Sequence, residues 1–141
     1  MIGLYIHIPF CEKKCGYCDF ISYPNRQERM GDYIDAVIRE AENYAGEKAD
    51  SVFIGGGTPS FLPEGEMRRL VEGVTRSIGI APGAEFTIEA NPNSLTPQKA
   101  REYAALGWRF RPVSPWRALF GRCRRGELQQ CQLRTGGPQR Q

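Results

Sequence analysis

The sequence predicts an α/β chain in which strands and helices alternate as β-α-β-α-β-α over residues 1–107, followed by an irregular tail over 108–141. Three observations predict it. Apolar residues at Ile2, Leu4, Ile6 and Ile8 alternate with Gly3, Tyr5 and His7, the period of a strand. Two later stretches, 30–44 and 67–78, space their apolar residues at the three- and four-residue steps of a helix. Short apolar runs that stop at Gly-Gly-Gly and at Asn-Pro lie between and after them. Helices of this length cross back over a parallel sheet, so the carboxyl ends of its strands share one rim.

Taken in order, Pro9 ends the first strand, and the cysteines Cys11, Cys15 and Cys18 follow in a loop. The first helix carries Met30, Tyr33, Ile34, Val37, Ile38, Ala41 and Tyr44 on one face, with Asn25 as its N-cap and Gly46 as its stop. Residues 51–54 form a short buried strand that runs into Gly55-Gly56-Gly57-Thr58-Pro59. Pro63 suits the first position of a second helix, whose face is Met67, Leu70, Val71, Val74 and Ile78 and whose stop is Gly79. Residues 85–90 form the third strand, ending at Asn91-Pro92. Thr96-Pro97 caps a third helix carrying Ala100, Tyr103 and Leu106, with Gly107 as its stop. Three parallel strands cannot bury both their faces and their edges, so residues 1–107 read as part of a larger barrel-like domain.

Composition narrows the class. With 40% hydrophobic and 25% charged residues in 141, the balance is that of a soluble globular protein. No run of about 18 apolar residues exists, which excludes a transmembrane helix. Residues 1–10 lack the basic start and apolar stretch of a secretory signal, so the expected compartment is the cytosol. Charge divides unevenly: 11 Lys+Arg against 15 Asp+Glu through Gly107, then 8 basic residues against 1 acid to Gln141. The tail's cations are all Arg, without lysine or an interleaved aromatic face, which argues against nucleic acid as a partner. Its Arg, Gln, Gly and Pro content is that of a disordered segment or of out-of-frame translation of a GC-rich gene, and Cys123 and Cys131 receive no role.

The spacing Cys11-x3-Cys15-x2-Cys18 groups three soft ligands on one short loop. Thiolates suit iron–sulfur clusters, zinc or copper(I). A structural zinc site wants four ligands, and the nearest fourth, His7, sits within the first strand, where a hydrogen-bonded structural role is the ordinary one. Three thiolates on a four-iron cube leave one iron open to a small molecule. Three unconnected buried thiols, or a zinc site completed by another segment, are the plainer readings.

Tyr5-Ile6-His7-Ile8-Pro9-Phe10 leading into that cysteine spacing, with Gly55-Gly56-Gly57-Thr58-Pro59 and Ile88-Glu89-Ala90-Asn91-Pro92 following in order, resembles the radical S-adenosylmethionine (SAM) superfamily. Within it the chain resembles the branch of oxygen-independent coproporphyrinogen III oxidase-like proteins. The resemblance covers residues 1 to about 107 and implies the N-terminal part of a partial (β/α) barrel. It implies that Cys11, Cys15 and Cys18 hold a [4Fe-4S] cluster and that SAM chelates the open iron through its amino and carboxylate groups. An electron from the cluster then cleaves the sulfonium, giving methionine and a 5′-deoxyadenosyl radical. It further implies cofactor contacts from Gly56, Gly57 and Thr58 at the methionyl end, from Tyr17 at the adenine edge, and from Tyr5 and Glu89. The plainer readings are a strand-to-helix turn for the glycines, a strand aromatic for Tyr5 and a solvated carboxylate for Glu89.

Coproporphyrinogen dehydrogenases of this branch carry a further Cys two residues after the third. Here Cys18-Asp19-Phe20 puts a phenylalanine there, as in the HemW group of heme chaperones. The resemblance therefore implies heme, a heme-accepting client protein and an electron donor as partners beside SAM. Oxidative decarboxylation of coproporphyrinogen is the alternative, so whether the chain is an enzyme stays open. Lys13 and Lys14 read as a solvated loop pair. The family continues with a fourth strand whose Gln meets the ribose, and none of its later motifs follows Gly107 here. Its members are roughly two to three times longer, so a third expectation is that this chain alone is inactive.

Overall fold

The computed structural model describes residues 1–14, 16 and 18–106 and, as backbone, residues 131–135. Strand β1 (Ile2–Ile8) pairs in parallel with β4 (Lys48–Gly56), and β4 pairs in parallel with β5 (Gly79–Ala90). The register aligns Ile6 with Ile54 and Ile54 with Ile88, so one branched apolar side chain from each strand stands in one row on the same face. All three are buried, as is Ile8. Helices α1 (Met30–Ala41) and α2 (Glu66–Ser77) supply Met30 and Ile34, and Met67, Leu70 and Val74, to the same core. Arg69 on α2 ties the two helices at the surface, pairing with Asp35 and Glu66 and donating to the Gly31 carbonyl at 3.0 Å. The next row of the sheet, Tyr5, Phe53 and Thr87, faces the other way.

Helix α3 (Pro97–Ala105) begins as its sequence foretells: the Thr96 side chain accepts the Lys99 amide at 3.2 Å, and Pro97 fills the first helical position. Tyr103 is its buried anchor. The Gly107 stop lies outside the described residues.

Several boundaries differ from expectation for physical reasons. Asn25 does not cap α1; it sits at φ 57° in a turn, and a 3₁₀ turn, Gln27–Arg29, leads into the helix. Tyr44 leaves the apolar face because α1 gives way after Ala41 to a 3₁₀ turn, Glu42–Tyr44, and the ring is 51% exposed. Pro63 precedes α2 instead of opening it, its carbonyl accepting the Glu66 amide at 3.3 Å. Gly79 begins β5 and so does more than stop α2, its amide bonding the Glu47 carbonyl at 2.9 Å. A register shift between Ala49 and Ser51 opposite 80–85 lets β4 and β5 run longer than the apolar runs alone suggest.

The tail also departs from the sequence reading. Residues 131–135 form β6 (Cys131–Thr135), antiparallel to β5, giving a sheet of order β1-β4-β5-β6. Within an otherwise aperiodic tail, Cys131 and Leu133 alternate with Gln132 and Arg134, and backbone pairing to the free edge of β5 completes the strand. The remaining tail, for which disorder or a shifted frame was expected, lies outside the described residues. Among the described residues no helix is long and apolar enough to cross a membrane.

Candidate cofactor site

The cysteine loop is anchored more firmly than a loop following a strand-ending proline. After Pro9, Phe10–Cys11 forms a short strand, β2, paired in parallel with β3 (Tyr23–Pro24). Cys11 is therefore a strand residue, buried, and the loop 12–22 is closed at its base by the Tyr23 amide on the Pro9 carbonyl at 2.6 Å. Lys14 Nζ donates to the Phe20 carbonyl at 3.3 Å across this loop. Cys18 is half-buried, while Cys15 and Tyr17 lie outside the described residues.

The glycine motif is stitched to this base. Gly57 N–H donates to the Ile8 carbonyl and Thr58 N–H to the Phe10 carbonyl, each at 2.8 Å. The Thr58 hydroxyl donates to Cys11 Sγ at 3.7 Å. Glu89, at the end of β5, accepts the Gly56 amide on Oε2 at 3.1 Å and is buried, which removes the solvated-carboxylate reading. The carboxyl ends of β1, β4 and β5 thus meet through named hydrogen bonds.

The absent side chains have identifiable occupants. A Cβ on Gly57 would lie 2.6 Å from the Phe10 carbonyl oxygen and 2.9 Å from Cys11 Sγ. On Gly56, held at φ +113°, it would lie 2.5 Å from the His7 ring. The missing side chains at 56 and 57 thus make room for the chain's own His7 and cysteine strand.

His7 ties β1 to the far end of the loop. Its Nε2 lies 2.8 Å from the Ile21 carbonyl, which only accepts, so Nε2 carries the proton. Nδ1 then accepts the Tyr5 hydroxyl at 3.0 Å. The backbone carbonyl of His7 also accepts the Tyr33 hydroxyl at 2.7 Å. The structural role weighed for His7 is the one its contacts describe. Tyr5 stacks obliquely on Phe53, with ring centroids 5.8 Å apart, and stays 53% exposed. Burial first, and the Glu89 carboxylate second, push the Tyr5 phenol above its ordinary range.

Cys11, Cys18 and Thr58 face one cavity of about 60 Å³, which Glu12, Lys13, Ser22, Phe61, Asn91 and Ser94 help to line. Ser22 is buried, and among the described residues its Oγ has no hydrogen-bond partner. Among the same residues no three His, Cys, Asp or Glu side chains lie close enough to hold a metal; the middle cysteine is not one of them. The donor set fits a sulfur-ligated cluster: two thiols, a hydroxyl already directed at one of them, and a second hydroxyl awaiting an acceptor.

Sequence reasoning missed the polar knot behind this wall. Ser60 Oγ and Ser94 Oγ are 2.6 Å apart, and Ser60 Oγ accepts the Asn91 amide at 2.9 Å. Buried Lys99 donates to the carbonyls of Ser60 at 2.8 Å and Ser94 at 3.3 Å. Burial pushes its ammonium below the usual lysine range, against the pull of Glu64 and Glu102. The only sequence signal was the spacing Thr96-x-x-Lys99, which shows a cap and nothing of a buried amine.

The sequence profile of the radical SAM superfamily matches residues 5–114. The chain belongs to the radical SAM superfamily. That match runs beyond the Gly107 boundary by seven residues. The heme chaperone HemW of Buchnera aphidicola is 42% identical over 113 residues, covering 75% of this chain and 30% of that protein. The heme chaperone HemW of Escherichia coli is 40% identical over 111 residues, with 75% and 29% covered. A solved radical SAM structure, coproporphyrinogen III oxidase (HemN) from Escherichia coli, matches with a TM-score of 0.68 at 30% identity. That match covers 74% of this chain and 25% of the HemN chain. This radical SAM chain thus spans less than a third of the length of these relatives.

Proposed function

We propose that the chain is the N-terminal part of a HemW-like heme chaperone that works in the cytosol. In this reading Cys11, Cys15 and Cys18 hold a [4Fe-4S] cluster, and SAM lies along Tyr5, Tyr17, Gly56, Gly57, Thr58 and Glu89. Heme, a client protein and an electron donor are the partners of the whole protein. The observation that carries the reading is the stitching of the Cys11 strand to Gly57 and Thr58 and of Gly56 to Glu89, which gathers three strand ends beside the thiol cavity.

A bound cluster supplies a single electron and an open iron for the amino and carboxylate groups of SAM. The chain's own residues hold and shield that site. Glu89, with one oxygen on the Gly56 amide, keeps its other oxygen for a hydroxyl or cationic group of the cofactor. Tyr5, kept neutral, offers an exposed ring and a phenol fixed by His7. The tight backbone at 56 and 57 packs against His7 and the Cys11 strand.

Anaerobic reconstitution with iron and sulfide, followed by electron paramagnetic resonance before and after SAM, tests this. The expected result is a four-iron cluster whose spectrum changes with SAM. Bound zinc, or a spectrum indifferent to SAM, overturns it. The likeness to HemN favours a second reading, oxidative decarboxylation of coproporphyrinogen. Exposed Phe20, where that chemistry's extra cysteine is expected, favours the chaperone. Incubation with coproporphyrinogen III and SAM separates the two, since decarboxylated product rejects the chaperone. Cluster and SAM binding with neither heme transfer nor product is the outcome if these 141 residues are inactive by themselves.

A further inference from the structure

We propose that Ser22 is the hydrogen-bond donor that sets the reduction potential of the cluster held by Cys11, Cys15 and Cys18; the proposal rests on the cluster reading above. Ser22 is 6% exposed, and among the described residues its Oγ is the buried side-chain polar atom left without a partner. A buried hydroxyl in that state costs more than a made hydrogen bond returns, so an unmet one in a cavity points to a guest that completes it. The cavity it lines also holds Cys11 and Cys18.

Its position is fixed from both sides. The preceding residue, Ile21, gives its carbonyl to His7 Nε2 at 2.8 Å, and the following residue, Tyr23, gives its amide to the Pro9 carbonyl at 2.6 Å. The backbone on either side of Ser22 is therefore held, so its hydroxyl explores only the rotamers about χ1 within a buried pocket. Thr58 already directs its hydroxyl to Cys11 Sγ. With a cluster bound in the cavity that Ser22 shares with Cys11 and Cys18, the acceptor this proposal assigns to it is a second sulfur, either the Cys18 thiolate or a bridging sulfide. A donor on cluster sulfur favours the more negative, reduced form, so it raises the potential. Ser22 itself neither ligates nor reacts; it acts through the sulfur it contacts.

The test uses the full 141-residue chain, Ser22→Ala and Ser22→Thr, each reconstituted anaerobically with ferrous iron and sulfide and titrated with dithionite in the presence of redox mediators. At a fixed potential near the wild-type midpoint, the ratio of reduced to oxidised cluster in Ser22→Ala is expected to fall about threefold or more, with Ser22→Thr returning toward wild type. The cluster-free Ser22→Ala chain is expected to resist urea as well as wild type, because the unmet hydroxyl is gone. Equal ratios in wild type and Ser22→Ala overturn the proposal, as does a loss of apo stability with no change in ratio. If the wild-type chain assembles no cluster, the functional reading falls and takes this proposal with it. If clusters form and respond to SAM in both proteins at one common potential, only the role of Ser22 falls.

Discussion

Gly57 has no room for a side chain. A methyl group there meets the Phe10 carbonyl at 2.6 Å and Cys11 Sγ at 2.9 Å, and one of those contacts is backbone that has no rotamer to change. Gly57→Ala is expected to cost about 1–3 kcal/mol by overpacking and to lower iron uptake on reconstitution, read from urea unfolding and iron analysis. Tyr103 gives a second prediction. Burial, and then Glu102, hold its phenol far above the ordinary value of 10.0, so folding favours the protonated form. A raised folded-state pKa contributes stability that is whole below pH 10.0 and is lost as pH rises past it, because only the unfolded chain ionises there. Urea midpoints are expected to fall steeply above pH 10.0, and Tyr103→Phe to flatten that fall. The motif residues were legible in the sequence at this scale, but the reason for them was not. A run of three glycines reads equally as a ligand cradle or a turn, and only the positions of His7 and Cys11 show what fills the gaps. Ser22 and Lys99 carried no signal, because a single polar residue announces its burial only through neighbours distant in sequence.

At the scale of elements, α1 and α2 meet where Gly73 faces Ile38. A Cβ on Gly73 would lie 2.5 Å from Ile38 Cδ1 and 2.6 Å from its Cγ1. Gly73→Ala gains about 1 kcal/mol of helix propensity and loses about 1–3 kcal/mol to overpacking, so a net loss is expected. In Ile38→Ala the same change is expected to be neutral or stabilising, and a double-mutant cycle by urea unfolding measures that coupling. The apolar stripes made both helices readable, since the period of a stripe is set by local geometry. Their ends were less readable: Tyr44 satisfies the stripe yet falls outside the helix, and Gly79, a fair helix stop, is drafted into β5 by the Glu47 carbonyl. Strand β2 was invisible, because two residues have no period. Pairing with Tyr23–Pro24 across the loop makes it a strand.

For the molecule as a whole, the core and the candidate cofactor site are adjacent but separate. The apolar cluster joins β1, β4 and β5 with α1 and α2, and neither Cys11 nor Cys18 belongs to it. Removal of iron by a chelator is therefore expected to leave far-UV circular dichroism unchanged. It is expected to increase proteolysis within the loop 12–22, checked by mass spectrometry of the fragments. A chelator that unfolds the whole chain would show instead that metal and core form one cooperative unit. On the opposite face of the sheet Tyr5 is half exposed while Thr87 is buried. By itself the sequence determined the order of strands and helices, the parallel sheet and the three motifs at its strand ends, because each is written in near neighbours and short periods. Tertiary structure alone decided that His7 and the cysteine strand fill the glycine gaps, that Glu89 and Lys99 are buried, that Ser22 lines the cavity of Cys11 and Cys18 and that 131–135 pairs with β5. Those outcomes depend on groups far apart in the chain, whose proximity no local pattern records.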